Sequence, residues 1–370
     1  GFFRDDLPGW GELLASVGFD LAICDESHRL RGRNTDLERK GQSRRERVRA
    51  ALLNFPRVWL LSGTPQYGFV RDWWGQMDVA SRGLFGDPFF GFDVAYAGGC
   101  KNDWGWYADG RGPYDEELKE RLSLVVLKRP RSVILPHMPP KVRQVIRIEA
   151  DTAAKVDVRR GARGGISHAL EETAKIKEKF VVEAAMNEIA EGRKVIVYTF
   201  LVEAAKSMAE AITAAAAQKN VKIRMREVGA RVWCATGEIS PEGRFAQAKS
   251  FREWVGAGAF VATVDSVNEA ISLKGATTVL FSSLTWDPSA LLQGEDRPYE
   301  VGTKGLEILY FVLKDSVDEH VEAVTLAKLP ALDKLAEERG AGEMQRALVG
   351  EQETLDEIWK RLTRHLSEAA

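Results

Sequence analysis

Two adjacent carboxylates, Asp25 and Glu26, directly follow the short apolar run of residues 21 to 24. Such a run is typical of a strand that is buried on both faces. In an open parallel sheet, ligands bind at the carboxyl ends of the strands, so we expect both side chains at a crevice. There Asp25 could hold the Mg²⁺ that bridges the phosphates of ATP, and Glu26 could deprotonate the attacking water. The alternative is a strand that runs into an acidic turn.

A second candidate group follows the apolar run of residues 58 to 61 and consists of Ser62, Gly63, Thr64 and Pro65. Small hydroxyl residues and a glycine at the end of a strand can sense a neighbouring phosphate site and relay its state to other loops. A tight turn alone would explain the same residues. The sequence therefore predicts a strand here and leaves both interpretations of its end open.

A run of basic residues lies between these two groups and leads into a predicted helix. Its members are Arg29, Arg31, Arg33, Arg39, Lys40, Arg44, Arg45, Arg47 and Arg49. A solvated helix face and a contact with a phosphate backbone are both consistent with such a run.

Composition describes a globular protein of 370 residues, with 45% hydrophobic and 29% charged residues. This length predicts two domains. No apolar run approaches the roughly 20 residues of a membrane helix, so we expect no membrane partner and a cytoplasmic location, or a nuclear one in a eukaryote. The three cysteines lie far apart, which argues against a disulfide framework or a zinc site. The net charge of −2 leaves nucleic-acid binding to a local patch.

An ATP site also needs a glycine-rich loop with a lysine to cradle the phosphates. The pattern Gly-x-x-x-x-Gly-Lys-Ser/Thr is absent from the 370 residues, and the first residue is Gly1. We therefore expect the loop upstream of Gly1, with the chain beginning inside its first domain.

Residues 66 to 127 form an aromatic-rich segment that predicts a helical insertion. Its aromatic residues include Trp73, Trp74, Phe85, Phe89, Phe90, Tyr96, Trp104, Trp106 and Tyr107. They suit the core of the insertion, and an exposed few could instead stack on bases. The basic, proline-rich segment from Lys128 to Lys141 then indicates a connector, so we predict a domain boundary near residue 150.

The second predicted domain, residues 151–330, alternates helices with apolar strands near 194–200, 231–235, 259–263, 277–282 and 308–313. This alternation predicts an α/β fold in which right-handed crossovers wrap a parallel sheet. Residues 331–370 are predicted to form a helical brace.

Taken together, the motifs resemble the Swi/Snf-type branch of superfamily-two helicases, and most closely its annealing-helicase and fork-remodelling members. The matching segments follow the order of the family over most of residues 15 to 325. They are residues 25–28 (motif II), 62–65 (motif III), 195–200 (motif IV), 236–251, 262–273 (motif V) and 286–297 (motif VI). The resemblance implies two RecA-like lobes, the first of them incomplete here.

The resemblance also implies a DNA-dependent ATPase that uses ATP and Mg²⁺ and moves along double-stranded or branched DNA of any sequence. Asp25 would bind Mg²⁺, Glu26 would activate water, and Arg297 would contact the γ-phosphate. Further residues implied in nucleotide binding or coupling are His28, Gly63, Thr64 and Gln293. Those implied in DNA contact are Thr199, Thr263 and Asn268.

Two residues depart from the pattern of the family. Ala270 stands where motif V usually has glycine, and Glu300 stands where motif VI has its second arginine. An arginine aimed at the transferred phosphoryl group can be worth roughly a thousandfold in rate. In an active motor, Glu300 is therefore expected to turn away, for example towards Lys304, and Arg297 serves the γ-phosphate alone.

Three other functions remain open. A non-catalytic DNA-binding scaffold with a degenerate ATPase site would explain both departures. The motor subunit of a restriction or phage-defence complex fits the same motifs. An RNA-directed helicase is disfavoured by the sequence of motif VI.

Overall fold

The computed structural model describes residues 14, 16–31, 44–63, 65, 70–86, 89–102, 105–108, 112–127, 129, 137–139, 141–149, 165–218, 229–267, 271–285, 288–303 and 305–325. The chain divides into two compact units near residue 130. The sequence predicted the boundary near residue 150. The difference arises because Lys141–Ile148 is a strand that pairs within the sheet of the second unit. The predicted brace at 331–370 lies outside the described residues.

The first unit contains a parallel pair of strands with helices on one side. Its first elements are β1 (Leu21–Cys24), a 3-10 turn (Ser27–Leu30), α1 (Arg44–Ala51), β2 (Arg57–Leu60) and α2 (Arg71–Ala80). Strand β1 pairs with β2 in parallel, with Cys24 opposite Leu60. The inner face of the pair packs on Val48, Leu52 and Val79. The two strands confirm the prediction from sequence.

The outer face of this strand pair differs from the expectation of a strand buried on both sides. Ile23 and Trp59 alternate with the inward-facing residues, and each is 57% exposed. Within the described part of the first unit, the helices pack against the inner face of the strand pair, so its outer face stays exposed.

The predicted insertion is helical and also contains a hairpin that the sequence did not predict. It consists of α2, α3 (Phe89–Ala97), β3 (Gly99–Asn102), β4 (Gly105–Ala108) and α4 (Asp115–Ser123), with β3 and β4 antiparallel. Five of its aromatic residues form a buried cluster, namely Trp73, Trp74, Phe89, Phe92 and Tyr96. The Arg71 guanidinium binds the fully buried Asp93 carboxylate through both oxygens, at 2.5 and 2.6 Å. These aromatic residues therefore form core, while Trp104 lies outside the described residues.

The second unit is built on a six-stranded sheet, and every neighbouring pair in it is parallel. Its strands are β5 (Lys141–Ile148), β6 (Lys194–Thr199), β7 (Arg231–Ala235), β8 (Gly258–Thr263), β9 (Thr278–Phe281) and β10 (Leu306–Leu313), in the spatial order β5-β10-β9-β6-β8-β7. Its helices are α5 (Gly165–Ala190), α6 (Val202–Gln218), α7 (Pro241–Glu253), α8 (Pro288–Asp296) and α9 (Val317–Thr325). The predicted α/β fold with a parallel, RecA-like sheet is confirmed.

Buried apolar clusters lie on both faces of this sheet, as a parallel sheet requires. Strand β8 is buried along its whole length. A buried ion pair joins Lys177 of α5 to Asp318 of α9, and both side chains are fully inaccessible. Asp318 also accepts hydrogen bonds from the Thr173 hydroxyl and the Leu313 amide. Of the helices described here, none is long and apolar enough to cross a bilayer.

Candidate nucleotide site and motif VI helix

Asp25 and Glu26 lie at the carboxyl end of β1, as predicted. Asp25 is exposed, and its Oδ1 accepts a hydrogen bond of 2.8 Å from the Glu26 amide. Glu26 adopts a left-handed backbone conformation, with φ 52° and ψ 45°. This conformation is uncommon for a residue with a side chain, and such strain is concentrated at functional sites. The two carboxylates differ in exposure although they are adjacent in sequence, since Asp25 is exposed and Glu26 is half-buried.

His28 connects Glu26 to the second predicted group. Its Nδ1 lies 3.0 Å from Oε2 of Glu26 and 3.3 Å from Oγ of Ser62. Burial, together with the positive charges of Arg31 and Arg29, lowers the pKa of His28 to about 4, although Asp25 opposes the shift. The ring is therefore neutral at pH 7, and a proton on Nδ1 can be donated to the Glu26 carboxylate.

Gln76 of α2 forms a second connection between the two groups, which sequence reasoning missed. The Ser27 hydroxyl donates to its Oε1 at 3.0 Å, and its Nε2 donates to the carbonyl of Pro65 at 2.6 Å. Gln76 is 2% exposed. A Cβ on the preceding residue, Gly75, would lie 2.5 Å from the Leu30 carbonyl oxygen, so glycine permits α2 to approach the 3-10 turn. The only signal in the sequence was one glutamine on an otherwise apolar helix face.

The ends of β1 and β2 are also joined through the backbone. The Leu61 amide donates to the Cys24 carbonyl at 2.9 Å, and the Ser27 amide donates to the Leu61 carbonyl at 2.9 Å. The structure therefore brings together Glu26, His28 and Ser62 at the start of motif III, and Gly63 follows Ser62 in the chain. Thr64 lies outside the described residues.

Two arginines of the basic run have structural partners. Arg45 and Arg49 both bind the Asp78 carboxylate, the second at 3.0 Å, and Arg45 also lies 4.5 Å from the centre of the Trp74 ring. These contacts fasten α1 to α2. For Arg45, which is 5% exposed, the structure therefore favours packing over a DNA contact.

In the second unit, Thr199 and Thr263 end the neighbouring strands β6 and β8 and lie opposite each other. Thr199 is fully buried, and its Oγ1 lies 3.3 Å from Oγ of Ser283. Thr263 is 5% exposed. The predicted DNA contacts of both residues stay predictions, and Asn268 lies outside the described residues.

Helix α8 carries Gln293, and Arg297 follows directly after its end. The Arg297 carbonyl accepts a hydrogen bond of 2.9 Å from the Leu273 amide, which ties the end of motif VI to the end of motif V. Burial raises the pKa of Tyr198 on β6, and the nearby Arg297 cation opposes this shift. The Arg297 cation is therefore near the side chain of Tyr198, the last residue but one of β6.

Glu300 is engaged by the same segment. Its carboxylate accepts a hydrogen bond from the Ser272 hydroxyl, and its amide donates to the Thr303 hydroxyl at 3.0 Å. The sequence suggested Lys304 as the partner of Glu300, and Lys304 lies outside the described residues. Among the described residues, Ser272 holds the Glu300 carboxylate.

A buried cluster around Glu295 is the second feature that sequence reasoning missed. Glu295 is fully buried on α8, and it binds Lys141 and Arg143 of β5 and the hydroxyl of Tyr310 on β10. Its two cationic partners, Lys141 and Arg143, are more than 150 residues away in the chain, so no local sequence pattern indicates them.

A known protein family matches the part of the chain that contains motifs IV to VI. Residues 176–302 match the helicase conserved C-terminal domain. The matched residues lie within the second unit.

Two relatives are similar over most of the chain. The SWI/SNF-related matrix-associated actin-dependent regulator of chromatin subfamily A-like protein 1 of Xenopus laevis is 25% identical over 337 residues, which cover 88% of this chain and 34% of that protein. The human DNA annealing helicase and endonuclease ZRANB3 is 23% identical over 342 residues, which cover 86% of this chain and 30% of that protein. The predicted similarity to the Swi/Snf-type branch of superfamily-two helicases is confirmed. The chain spans about a third of the length of these relatives.

Among solved structures, the Sulfolobus solfataricus SWI2/SNF2 ATPase core in complex with dsDNA superposes with a TM-score of 0.35 at 18% identity. The superposition covers 91% of this chain and 74% of the Sulfolobus chain.

Proposed function

We propose that this chain is part of an ATP-dependent DNA translocase or helicase-like motor that acts on double-stranded or branched DNA. The observation that carries the proposal is the contact of His28 with both Glu26 and Ser62, at 3.0 and 3.3 Å. A neutral histidine that joins a candidate base to the next loop is suited to relaying nucleotide state. In a motor of this type, loops that respond to the γ-phosphate couple hydrolysis to movement.

Glu26 is the proposed base. Its carboxylate is 41% exposed, so water can reach it, and the neutral His28 ring holds one of its oxygens. In this role Glu26 orients the attacking water and accepts its proton. Since His28 is neutral at pH 7, it donates a hydrogen bond without repelling a cation bound nearby.

Asp25 fits the proposed Mg²⁺ ligand. Mg²⁺ is usually held by one or two carboxylates together with substrate phosphates, and Asp25 is an exposed carboxylate at the end of a strand. No cluster of three or more potential ligands occurs among the described residues, which agrees with a site that phosphates complete. Bound Mg²⁺ would neutralise charge on the phosphates.

The remaining assignments are proposals of the same kind. Arg297 contacts the γ-phosphate and Gln293 senses it, while Gly63 and Thr64 couple the site to other loops. Thr199, Thr263 and Asn268 are the candidates for contact with the DNA backbone. The names of two relatives, a regulator of chromatin and a DNA annealing helicase, support DNA as the partner and a nuclear location in a eukaryote.

The experiment is DNA-stimulated phosphate release by the protein expressed from its complete gene. Glu26→Gln should abolish turnover and spare nucleotide binding, since the amide keeps the shape of the side chain but cannot accept the proton. Glu116→Gln is the control, because Glu116 is an 85% exposed glutamate on α4. The 370-residue chain by itself, which contains no Gly-Lys-Ser/Thr loop, is expected to release no phosphate. Normal turnover in Glu26→Gln would refute the assignment.

A second candidate is a DNA-binding scaffold without turnover. The observation in its favour is Glu300, which stands at the position of the second arginine of motif VI. DNA binding by a parent protein that releases no phosphate would establish the scaffold, whereas DNA-stimulated release would exclude it.

A further inference from the structure

The Glu295 carboxylate is completely enclosed by hydrogen-bond donors. Its Oε2 lies 2.9 Å from Nζ of Lys141 and 2.7 Å from Nη2 of Arg143, and its Oε1 lies 2.8 Å from Nε of Arg143. The Tyr310 hydroxyl donates to Oε1 as well. Arg143 therefore binds the carboxylate in the bidentate geometry that fixes orientation as well as distance.

Stability alone does not account for this arrangement. Burying a carboxylate and two cations costs solvation, and well-packed apolar residues often serve a core equally well or better. Burial would raise the pKa of Glu295, but Arg143 and Lys141 hold it below its usual range. Burial lowers the pKa of Lys141, and the carboxylates of Glu295 and Asp296 raise it above its usual value. All three groups are thus charged, and the cluster imposes one geometry on α8.

The cluster fixes the position of the segment that carries Arg297. Glu295 lies two residues before Arg297, and Tyr299, two residues after it, donates its hydroxyl to the Pro139 carbonyl. Lys141 also lies 5.2 Å from the centre of the Tyr299 ring. The beginning of β5 therefore holds the chain on both sides of Arg297.

We propose that Lys141 and Arg143 are positioning residues that act through Glu295 to set the placement of Arg297. The inference rests on the proposed function, in which Arg297 contacts the γ-phosphate. Strand β5 directly follows the connector between the two units, so the cluster links the first strand of the second unit to motif VI.

The first test measures DNA-stimulated ATP turnover in the protein expressed from its complete gene. Glu295→Gln removes the charge at nearly constant shape, and Arg143→Lys is a milder variant that keeps the charge but loses bidentate binding. Each should lower kcat about tenfold or more and change KM for ATP little, because a misplaced arginine weakens the transition state most. Combined with Arg297→Ala, neither should lower kcat below that of Arg297→Ala alone.

The second test needs no activity. Hydrogen exchange of the Leu273 amide, which donates to the Arg297 carbonyl, reports whether this segment keeps its place. Exchange at Leu273 should accelerate in both variants at a temperature where the protein stays folded.

Asp318→Asn is the matched control for both tests. It breaks a comparably buried ion pair, and the partners found for Asp318 are Lys177, Thr173 and the Leu313 amide, which all lie outside α8. Asp318→Asn should not accelerate hydrogen exchange at Leu273 more than at other amides. In the double variant with Arg297→Ala, the factors by which the two substitutions lower kcat should multiply.

The outcomes separate the two proposals. The positioning role would be overturned if the reductions in kcat caused by Glu295→Gln and Arg297→Ala multiply in the double variant, or if exchange at Leu273 is unchanged. The proposed motor function would stand in either case. A parent protein without DNA-stimulated turnover would overturn the motor function and the positioning role with it.

Discussion

The Ser27 hydroxyl of motif II donates a 3.0 Å hydrogen bond to the side-chain oxygen of Gln76, and the side-chain amide of Gln76 donates to the carbonyl of Pro65 in motif III. A single buried glutamine thus reaches both loops of the candidate nucleotide site. Since it lies on a helix, it holds the two loops at a fixed separation.

Replacing Gln76 by leucine should destabilise the first unit by about 1–3 kcal/mol, because the Ser27 hydroxyl and the Pro65 carbonyl lose their partner inside the protein. Urea denaturation measures this change. Gln144→Leu is the matched control, since its hydrogen bond of 3.1 Å to Glu307 is exposed. Equal effects of the two substitutions would contradict the bridging role of Gln76.

His28 should make the stability of the first unit depend on pH. Its pKa is lowered from 6.5 to about 4 in the folded protein, chiefly by burial and then by Arg31 and Arg29. Between these values the unfolded chain binds the proton more readily, so the free energy of unfolding falls as pH decreases from about 6.5 to about 4. The loss amounts to at most roughly 3 kcal/mol.

Denaturation of the parent and of His28→Gln across this pH range checks the prediction. The variant should lose the part of the pH dependence that lies between about 4 and 6.5. Identical pH profiles would show that another group is responsible.

Glu300 should prove to be a structural residue in an active motor. Glu300→Gln should cost about 1–2 kcal/mol of stability, because the bond from Ser272 loses its charged acceptor. Glu300→Arg should leave turnover unchanged or raise it, whereas Arg297→Ala should lower it roughly a thousandfold. DNA-stimulated phosphate release measures both variants, and indifference of an active parent to Arg297→Ala would refute the role assigned to motif VI.

DNA binding should be electrostatic and independent of sequence, because contacts with phosphates carry no base information. Affinity should fall roughly tenfold or more as salt rises from low to physiological concentration. Fluorescence anisotropy with two duplexes of equal length and unrelated sequence measures both properties. A marked preference for one duplex would count against a translocase.

The sequence predicted best those elements whose pattern is local. Residues 194–199 and 258–263 are short apolar runs, and they form the central strands β6 and β8. Strand β5 was missed because it lies at the edge of the sheet and mixes Lys141, Arg143 and Arg147 with its apolar residues. A basic strand after a proline-rich segment resembles a linker until its partner strand is known.

The candidate site was predictable only in part, for the same reason. Asp25, Glu26 and Ser62 follow apolar strands, and this position alone suggested chemistry. Gln76 and Glu295 were missed because their roles depend on partners 49 and more than 150 residues away. Such contacts leave no periodic signal in the chain.

The pairing of β5 with β10 has a consequence for the synthesis of the protein. Strand β5 is synthesised before the other strands of its sheet, and its sheet neighbour β10 is the last of them. Until Leu306–Leu313 has left the ribosome, the nascent chain carries β5 with its hydrogen-bonding edge unpaired, a state that is prone to aggregation. The strand carries Lys141, Arg143 and Arg147, and charged side chains on an unpaired edge strand oppose aggregation. We therefore expect Lys141 and Arg143, which later enclose Glu295, also to limit misassembly of the nascent chain.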